Sequence, residues 1–401
     1  MFMAEYRAVD ALFFMGIRKM KIIDMHCDTI SELADAGRGG CREPGDGLMK
    51  NRGQLDLERM QQSGYLLQNF ALFVDIGKCA PWTGPKQVPV GCRNLRREAA
   101  ADAGDMGATT PWGRLCALYE VYRSELENNK DVIAPVFCYE DILRNEMNGK
   151  MSALLTVEEG AVCGGSIERL RELYGMGARM LTITWNYQNE LGWPARCGCS
   201  GENRTTTAKM ERDENVKCGS GGGDEMTGLM DAAYGLTETG RNFVIEMERL
   251  GMIPDVSHLS DAGFDAVWES TRKPFVASHS NAREVCPSLR NLTDDRIRRL
   301  ADRGGCMGLN YYDRFLVAGG SENSEILWEA LVRQARHITA VGGMEVLGLG
   351  SDFDGIPTNP AIPGAEIVPV LWERLKTAGF TESQLDGIFW KNVLRLYQDT
   401  L

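Results

Sequence analysis

The stretch Met20-Lys21-Ile22-Ile23-Asp24-Met25-His26-Cys27-Asp28-Thr29 decides how the chain folds. Its apolar run, residues 21–25, reads as a short strand that ends on His26 and Asp28 with Cys27 between them. In an extended segment residues i and i+2 project to the same side, so one imidazole and one carboxylate can reach a common metal ion while Cys27 turns into the wall. A histidine and an aspartate that merely finish a strand would look the same. Repetition favours the first reading. The chain has four histidines, and two more close predicted strands: His258 after Met252-Ile253-Pro254-Asp255-Val256-Ser257, and His279 after Phe275-Val276-Ala277-Ser278.

Working outward, short runs rich in Val, Ile and Leu recur at 21–25, 69–74, 152–157, 179–184, 252–256, 275–278, 306–310 and 346–350. They are separated by longer stretches of helical period, the alternation of a parallel sheet covered by helices. Ser166 to Tyr174, Thr237 to Leu250 (capped by Thr237 and stopped by Gly251) and Thr293 to Asp302 carry the spacing and end signals of amphipathic helices. Eight strands of this kind predict a (β/α)8 TIM barrel, in which strand ends far apart in sequence meet at one mouth. A ninth run, Val132 to Phe137, precedes an acidic helix start at Glu140-Asp141 and is assigned to an excursion outside the barrel. Residues 20–401 are expected to form one catalytic domain. Residues 1–19 read as a loose N-terminal extension, and 196–226 as an irregular, Gly-rich and polar loop insertion containing Cys197, Cys199 and Cys218. Three thiols without a fourth ligand do not make a standard structural zinc site.

The bulk properties bound the function. With 43% hydrophobic and 25% charged residues the chain is an ordinary globular protein, and a net charge of −12 argues against nucleic acid or an anionic membrane surface as partner. Twelve cysteines scattered through 401 residues, with no export signal or membrane span legible, are expected to be reduced thiols in the cytoplasm. Glu5, Arg7, Asp10, Arg18 and Lys19 make the leading segment too charged for a signal core. A homodimer is left open.

Two further strand ends carry acids. Glu158 and Glu159 follow Leu154-Leu155-Thr156-Val157, and a carboxylate there can bridge two cations and offset their mutual repulsion. Asp352 and Asp354, in Gly350-Ser351-Asp352-Phe353-Asp354-Gly355, stand where proton-transfer groups are needed, although the second Asp is equally a turn or cap residue. His337, in Ala335-Arg336-His337-Ile338, reads as an ordinary helix residue.

Together these segments resemble the renal or membrane dipeptidase family of zinc peptidases, within the metal-dependent amidohydrolase barrels. The similarity runs from about Lys21 to near the C-terminus. The matching pieces, in order, are Asp24-Met25-His26-Cys27-Asp28, Val157-Glu158-Glu159, Asp255-Val256-Ser257-His258, Ser278-His279-Ser280 and Gly350 to Gly355. The resemblance implies a dipeptidase with two Zn2+ ions, one held by His26 and Asp28, the other by His258 and His279, with Glu158 bridging both and a shared hydroxide as nucleophile. Mn2+, Co2+ or Fe2+ suit the same ligands. It further implies Asp352 as the acid/base and Arg290, in Leu289-Arg290-Asn291, as the grip on the carboxylate of a dipeptide substrate. Glu159 falls where the family usually has Gly. Where better-known members carry a histidine that contacts the reacting carbonyl, this chain has Leu181-Thr182-Ile183-Thr184-Trp185; the Trp185 indole can donate a hydrogen bond but cannot take a positive charge. The competing readings are an amidohydrolase or lactonase acting on a non-peptide carbonyl, against which Arg290 speaks, and a metal-binding barrel without catalysis.

Overall fold

A computed structural model describes residues 20–35, 46–79, 110–195 and 234–401. The expected extension over 1–19 and the segment 196–226, with Cys197, Cys199 and Cys218, lie outside the described residues. Among those described, nine parallel strands form one sheet: β1 (Ile22–Asp24), β2 (Tyr65–Phe73), β3 (Ile133–Val136), β4 (Met151–Glu158), β5 (Met180–Thr182), β6 (Ile253–Asp255), β7 (Val276–Ala277), β8 (Cys306–Leu309) and β9 (Leu347–Leu349). Eight of them close a ring in the order β1, β2, β4, β5, β6, β7, β8, β9, and the ladder from Leu67↔Ser152 to Phe73↔Glu158 makes the closure between β2 and β4. The fold is therefore the (β/α)8 barrel. β3 pairs only with the first half of β4, Met151 to Leu154, while Thr156 to Glu158 at the other end pair with β5. It branches off the ring below β5, the excursion read at 132–137.

Strands covered on both faces can be mostly apolar along their length, and these are. Leu155, Val157, Phe70 and Leu72 face the helices, whereas Ile23, Leu67, Leu154, Met180, Ile253, Val276 and Cys306 fill the lower interior with Val393, Leu396 and Tyr397 of the last helix. Tyr397 donates to Asn69 Oδ1 at 2.8 Å inside the barrel. The bottom is thus packed, and the chemistry is left to the top.

Helix signals are local, so they translate directly. Ser166 and Thr237 accept from the N3 amides of Ile167–Met176 and Glu238–Leu250, and Gly251 closes the latter with φ 79°. Thr293 stands at the N-cap position of Asp294–Asp302. The largest difference from the sequence pattern is β2, which begins at Tyr65 rather than residue 69. Gln68 and Asn69 dilute the apolar signal there, yet both are fully buried with internal partners. The ladders of β6 and β7 also stop early, at Asp255 and Ala277, so that His258 and His279 stand on the turns beyond them.

Candidate metal centre

The barrel brings His26, Asp28, Glu158, His258, His279 and Asp352 together at the carboxyl ends of β1, β4, β6, β7 and β9. Glu158 is the hub. Its Oε2 lies 3.5 Å from His26 Nε2, and its Oε1 lies 3.1 Å from His258 Nε2 and 3.7 Å from His279 Nε2. His26 Nε2 is also 3.4 Å from Asp28 Oδ2 and 3.8 Å from Asp352 Oδ1. Three buried sets of ligand atoms result, His26–Asp28–Glu158, Glu158–His258–His279 and His26–His279–Asp352, each within 4.8 Å of one another, and the first two share Glu158.

The donor atoms fit cations rather than one another. Ser278 Oγ donates to Asp255 Oδ2 at 2.6 Å, so at its 2.8 Å contact with His279 it must accept, which puts the ring proton of His279 on Nδ1. Asn186 Oδ1, 3.0 Å from His258 Nδ1, likewise accepts. Both imidazoles are left with bare lone pairs on Nε2, and those two nitrogens face each other at 2.9 Å. Two lone pairs at that distance repel unless a positive charge lies against them. His26 Nε2 and Asp28 Oδ1 are buried without a hydrogen-bond partner, a second sign that this pocket is built for cations.

Electrostatics agree. Burial, joined by the charge of Arg290 and His26, drives the His258 and His279 imidazoles well below the usual range, so they stay neutral and able to ligate. Burial opposes a proton on His26 too, but the charges of Glu158 and Asp28 outweigh it and hold His26 well above its ordinary value. Glu158 is pushed up to about 8 by burial and by the neighbouring Asp28 charge, and Asp352 is raised chiefly by burial. Glu158 and Asp352 are thus harder to ionise here than in water, as carboxyls crowded together out of solvent are.

Asp352 accepts from Asn310 Nδ2 at 3.0 Å through Oδ2, which leaves Oδ1 on the His26 side. Arg290 is buried, donates to Ser280 Oγ (3.4 Å) and the His279 carbonyl (3.3 Å), and lies 5.3 Å over the Phe315 ring. Trp185 is half-buried, with its ring 6.3 Å from that of His258. Asp354 belongs to the frame: it accepts from Thr29 Oγ1 (2.6 Å) and the Gln54 amide (2.6 Å), which is the turn role weighed for it. Glu159 also turns away from the hub and takes the amides of Ala161 and Trp185 and the Asn189 side chain; burial pushes its carboxyl up to about 7. His337 pairs with Asp294 at 2.6 Å on the helical exterior. Cys27 is buried, its thiol directed to the Asn69 carbonyl.

The supporting roles of the neighbouring residues were not legible from the sequence. Asp255 takes four hydrogen bonds, from Ser257 N, Ser278 N, Ser278 Oγ and Thr182 Oγ1, and so binds the ends of β5, β6 and β7 together. Asn186, Asn310 and Asp24, the last accepting from His26 N and Ser351 N, do the same for His258, Asp352 and the β1–β9 seam. A polar residue two or three positions from a strand-end histidine was the available hint.

The family model for membrane dipeptidase, peptidase family M19, matches residues 16–207 and 204–400. An uncharacterized protein encoded in the pqqA 5′ region of Klebsiella pneumoniae is 29% identical over 259 residues, 65% of this chain and 86% of its own length. An uncharacterized dipeptidase of Schizosaccharomyces pombe is 32% identical over 63% of this chain, and the match spans about half, 54%, of the yeast protein. A crystal structure of a metallopeptidase from Rhodobacter sphaeroides, liganded with a phosphinate mimic of the dipeptide L-Ala-D-Ala, superposes with a TM-score of 0.72 at 24% identity, covering 96% of this chain and all of the other. The sheet closed by β2 and β4, the acids and imidazoles gathered at its carboxyl end and a family match over nearly the whole chain lead to one assignment: the chain belongs to the membrane dipeptidase family, peptidase family M19, and is a hydrolase of the metallo-dipeptidase class.

Proposed function

We propose that the protein hydrolyses dipeptides with two zinc ions, one held by His26 and Asp28 and the other by His258 and His279, with Glu158 shared between them. The observation that carries this reading is the pair of bare imidazole nitrogens at 2.9 Å beside a carboxylate that reaches both ligand sets. Bound there, the cations would polarise the scissile carbonyl and make water a usable nucleophile near neutral pH. The remaining work belongs to the side chains. Asp352 is the proton carrier: Asn310 fixes one oxygen, and the other is directed at the cluster, in reach of an attacking water and a departing amine. Arg290, anchored on the β7 end, pairs with a free carboxylate one residue beyond the cleaved bond and so selects dipeptides. The Trp185 indole N–H offers a donor to charge developing on the carbonyl oxygen. That a similarly folded metallopeptidase was crystallised with a dipeptide mimic supports the substrate class.

The test is metal content by mass spectrometry measured together with dipeptide cleavage, before and after chelation and after re-addition of Zn2+, Mn2+, Co2+ or Fe2+. Two equivalents of zinc per chain, with activity lost and regained in step, is the expected result. Cleavage that survives complete metal removal would overturn the proposal, and hydrolysis of lactones or blocked dipeptides in preference to free dipeptides would shift it to the amidohydrolase reading.

A further inference from the structure

We propose that Phe73, Trp185 and Tyr187 form the subsite for the substrate's N-terminal side chain and select dipeptides that begin with an aromatic or large aliphatic residue; this rests on the dipeptidase reading above. Phe73 ends β2 in register with Glu158 of β4. Residues paired across neighbouring strands face the same side of a sheet, so the Phe73 ring stands on the inner face beside the Glu158 carboxylate. Trp185 packs edge-on against it, with ring centroids 4.8 Å apart at 60°, and Tyr187 follows at 5.6 Å from Trp185. The Tyr187 hydroxyl rests on Gly77, where an added Cβ would lie 2.7 Å from the oxygen. All three side chains are half-buried, so the cluster keeps an open edge, and its Trp185 ring lies 6.3 Å from that of His258.

The wall is fixed before any substrate arrives. Glu159 accepts the Trp185 amide at 3.2 Å and Asn189 Nδ2 at 2.5 Å, and Asn189 in turn holds the Ile183 carbonyl and the amides of Leu191 and Gly192. Glu159 adopts φ 105° to do this, a backbone region side-chain-bearing residues avoid, and its carboxylate is fully buried. A loop held at that cost presents a preorganised surface.

The orientation follows from the order of strands. The wall is carried by β2 and the turn after β5, which flank β4, whereas Arg290 lies beyond β7 and stacks on Phe315 beyond β8. In a ring of eight, β4 and β8 are opposite, and the histidines and acids lie between. A dipeptide with its carboxylate on Arg290 and its carbonyl over the cluster therefore points its first residue at the aromatic wall. An apolar side chain gains contact there, and a charged one gives up its hydration against three rings.

The experiment is kcat/KM for Phe-Ala, Leu-Ala, Ala-Ala, Asp-Ala and Lys-Ala with the zinc-loaded wild type, Trp185→Ala, Trp185→Phe and Tyr187→Ala. Phe-Ala and Leu-Ala should exceed Ala-Ala by about tenfold or more; Trp185→Ala should cut that ratio about tenfold, with Trp185→Phe recovering most of it. Tyr187→Ala, a change near the surface, should lower the same ratio by a smaller factor and gives the answer if Trp185→Ala does not fold. Cleavage of all five alike, preference for Asp-Ala or Lys-Ala, or an unchanged ratio in the folded variants would overturn the subsite while leaving the dipeptidase reading intact. Failure of the wild type to cleave any of the five would overturn both.

Discussion

Replacing Asp255 by asparagine should disable a metal ligand that Asp255 never touches. Asparagine keeps the shape and, with its Oδ1, the two backbone bonds from Ser257 and Ser278 at 3.0 Å. Its amide nitrogen, however, takes the place of the oxygen that now accepts from Ser278 Oγ at 2.6 Å and Thr182 Oγ1 at 2.8 Å. Ser278 must then accept from residue 255, and its own proton turns to the nearest acceptor, His279 Nδ1 at 2.8 Å. The ring proton of His279 moves to Nε2, the atom aimed at the cluster. Changes of this kind behind a ligating histidine cost about 10- to 100-fold in metal affinity, or about 1.4–2.7 kcal/mol. Loss of two charge-assisted bonds, partly replaced by weaker ones, should cost about 1–3 kcal/mol of stability. At about 2.1 cal/mol/K per residue over 401 residues, that lowers Tm by about 1–4 °C. Competitive chelator titration would show one zinc equivalent weakened and the other nearly unaffected, since His26 and Asp28 follow β1, away from Asp255. Two zinc affinities within twofold of wild type in a folded Asp255→Asn protein would refute the tautomer argument.

Asp352→Asn should retain both metals and lose turnover by about 10²- to 10⁴-fold, read as kcat against metal stoichiometry; retained turnover removes Asp352 from proton transfer. Glu246 provides a stability prediction away from the site. The hydrogen bonds of Arg249 and Arg171 hold its carboxyl down at about 2, below its ordinary value of 4.5. A depressed folded pKa contributes stability that is present above the unfolded value and fades as pH falls from about 4.5 through about 2. Because both guanidiniums are more than half exposed, screening should hold the effect to about 1 kcal/mol. Glu246→Gln should show this loss in urea unfolding at pH 7 and little difference from wild type near pH 2; an equal loss at both pH values would show that packing, not charge, is responsible.

The sequence made the ring and its reactive rim legible for a physical reason. A parallel strand in a barrel is a mostly apolar run, and the chain leaves it at the one end where all strands converge, so His26, Glu158, His258, His279 and Asp352 could be grouped without knowing a single distance. The Thr237 cap and the Gly251 stop were legible because capping is settled within four residues. What the sequence could not give depends on partners remote in the chain. The start of β2 at Tyr65 is set by its pairing with Ile22 of β1, the tautomer of His279 depends on Asp255, and the tautomer of His258 depends on Asn186. The two aspartates of Ser351-Asp352-Phe353-Asp354 look equivalent as letters; Asn310 draws one toward the cluster, and Thr29 and Gln54 draw the other into the frame.

The strand ends alone do not aim the ligands. Among the described residues, the side-chain-bearing positions with positive φ are Glu159, His258, Asp352 and Asp354, and all four follow ring strands at the mouth. Each costs about 1–3 kcal/mol relative to ordinary backbone, so such positions persist only where neighbours over-determine them. They do so here: the Asp352 amide is held by the His26 carbonyl, Ser351 by Asp24, and Ser257 by Asp255. A strand continued straight past Asp255 would carry His258 up the wall of the barrel. The left-handed turn at φ 67° instead sets its ring 3.1 Å from Glu158. Strain, buried acids and opposed lone pairs are thus concentrated on one rim, above a bottom packed with Ile23, Leu154, Ile253 and Tyr397. The unstrained, apolar half of the barrel supplies the stability that lets the other half remain poised for cations.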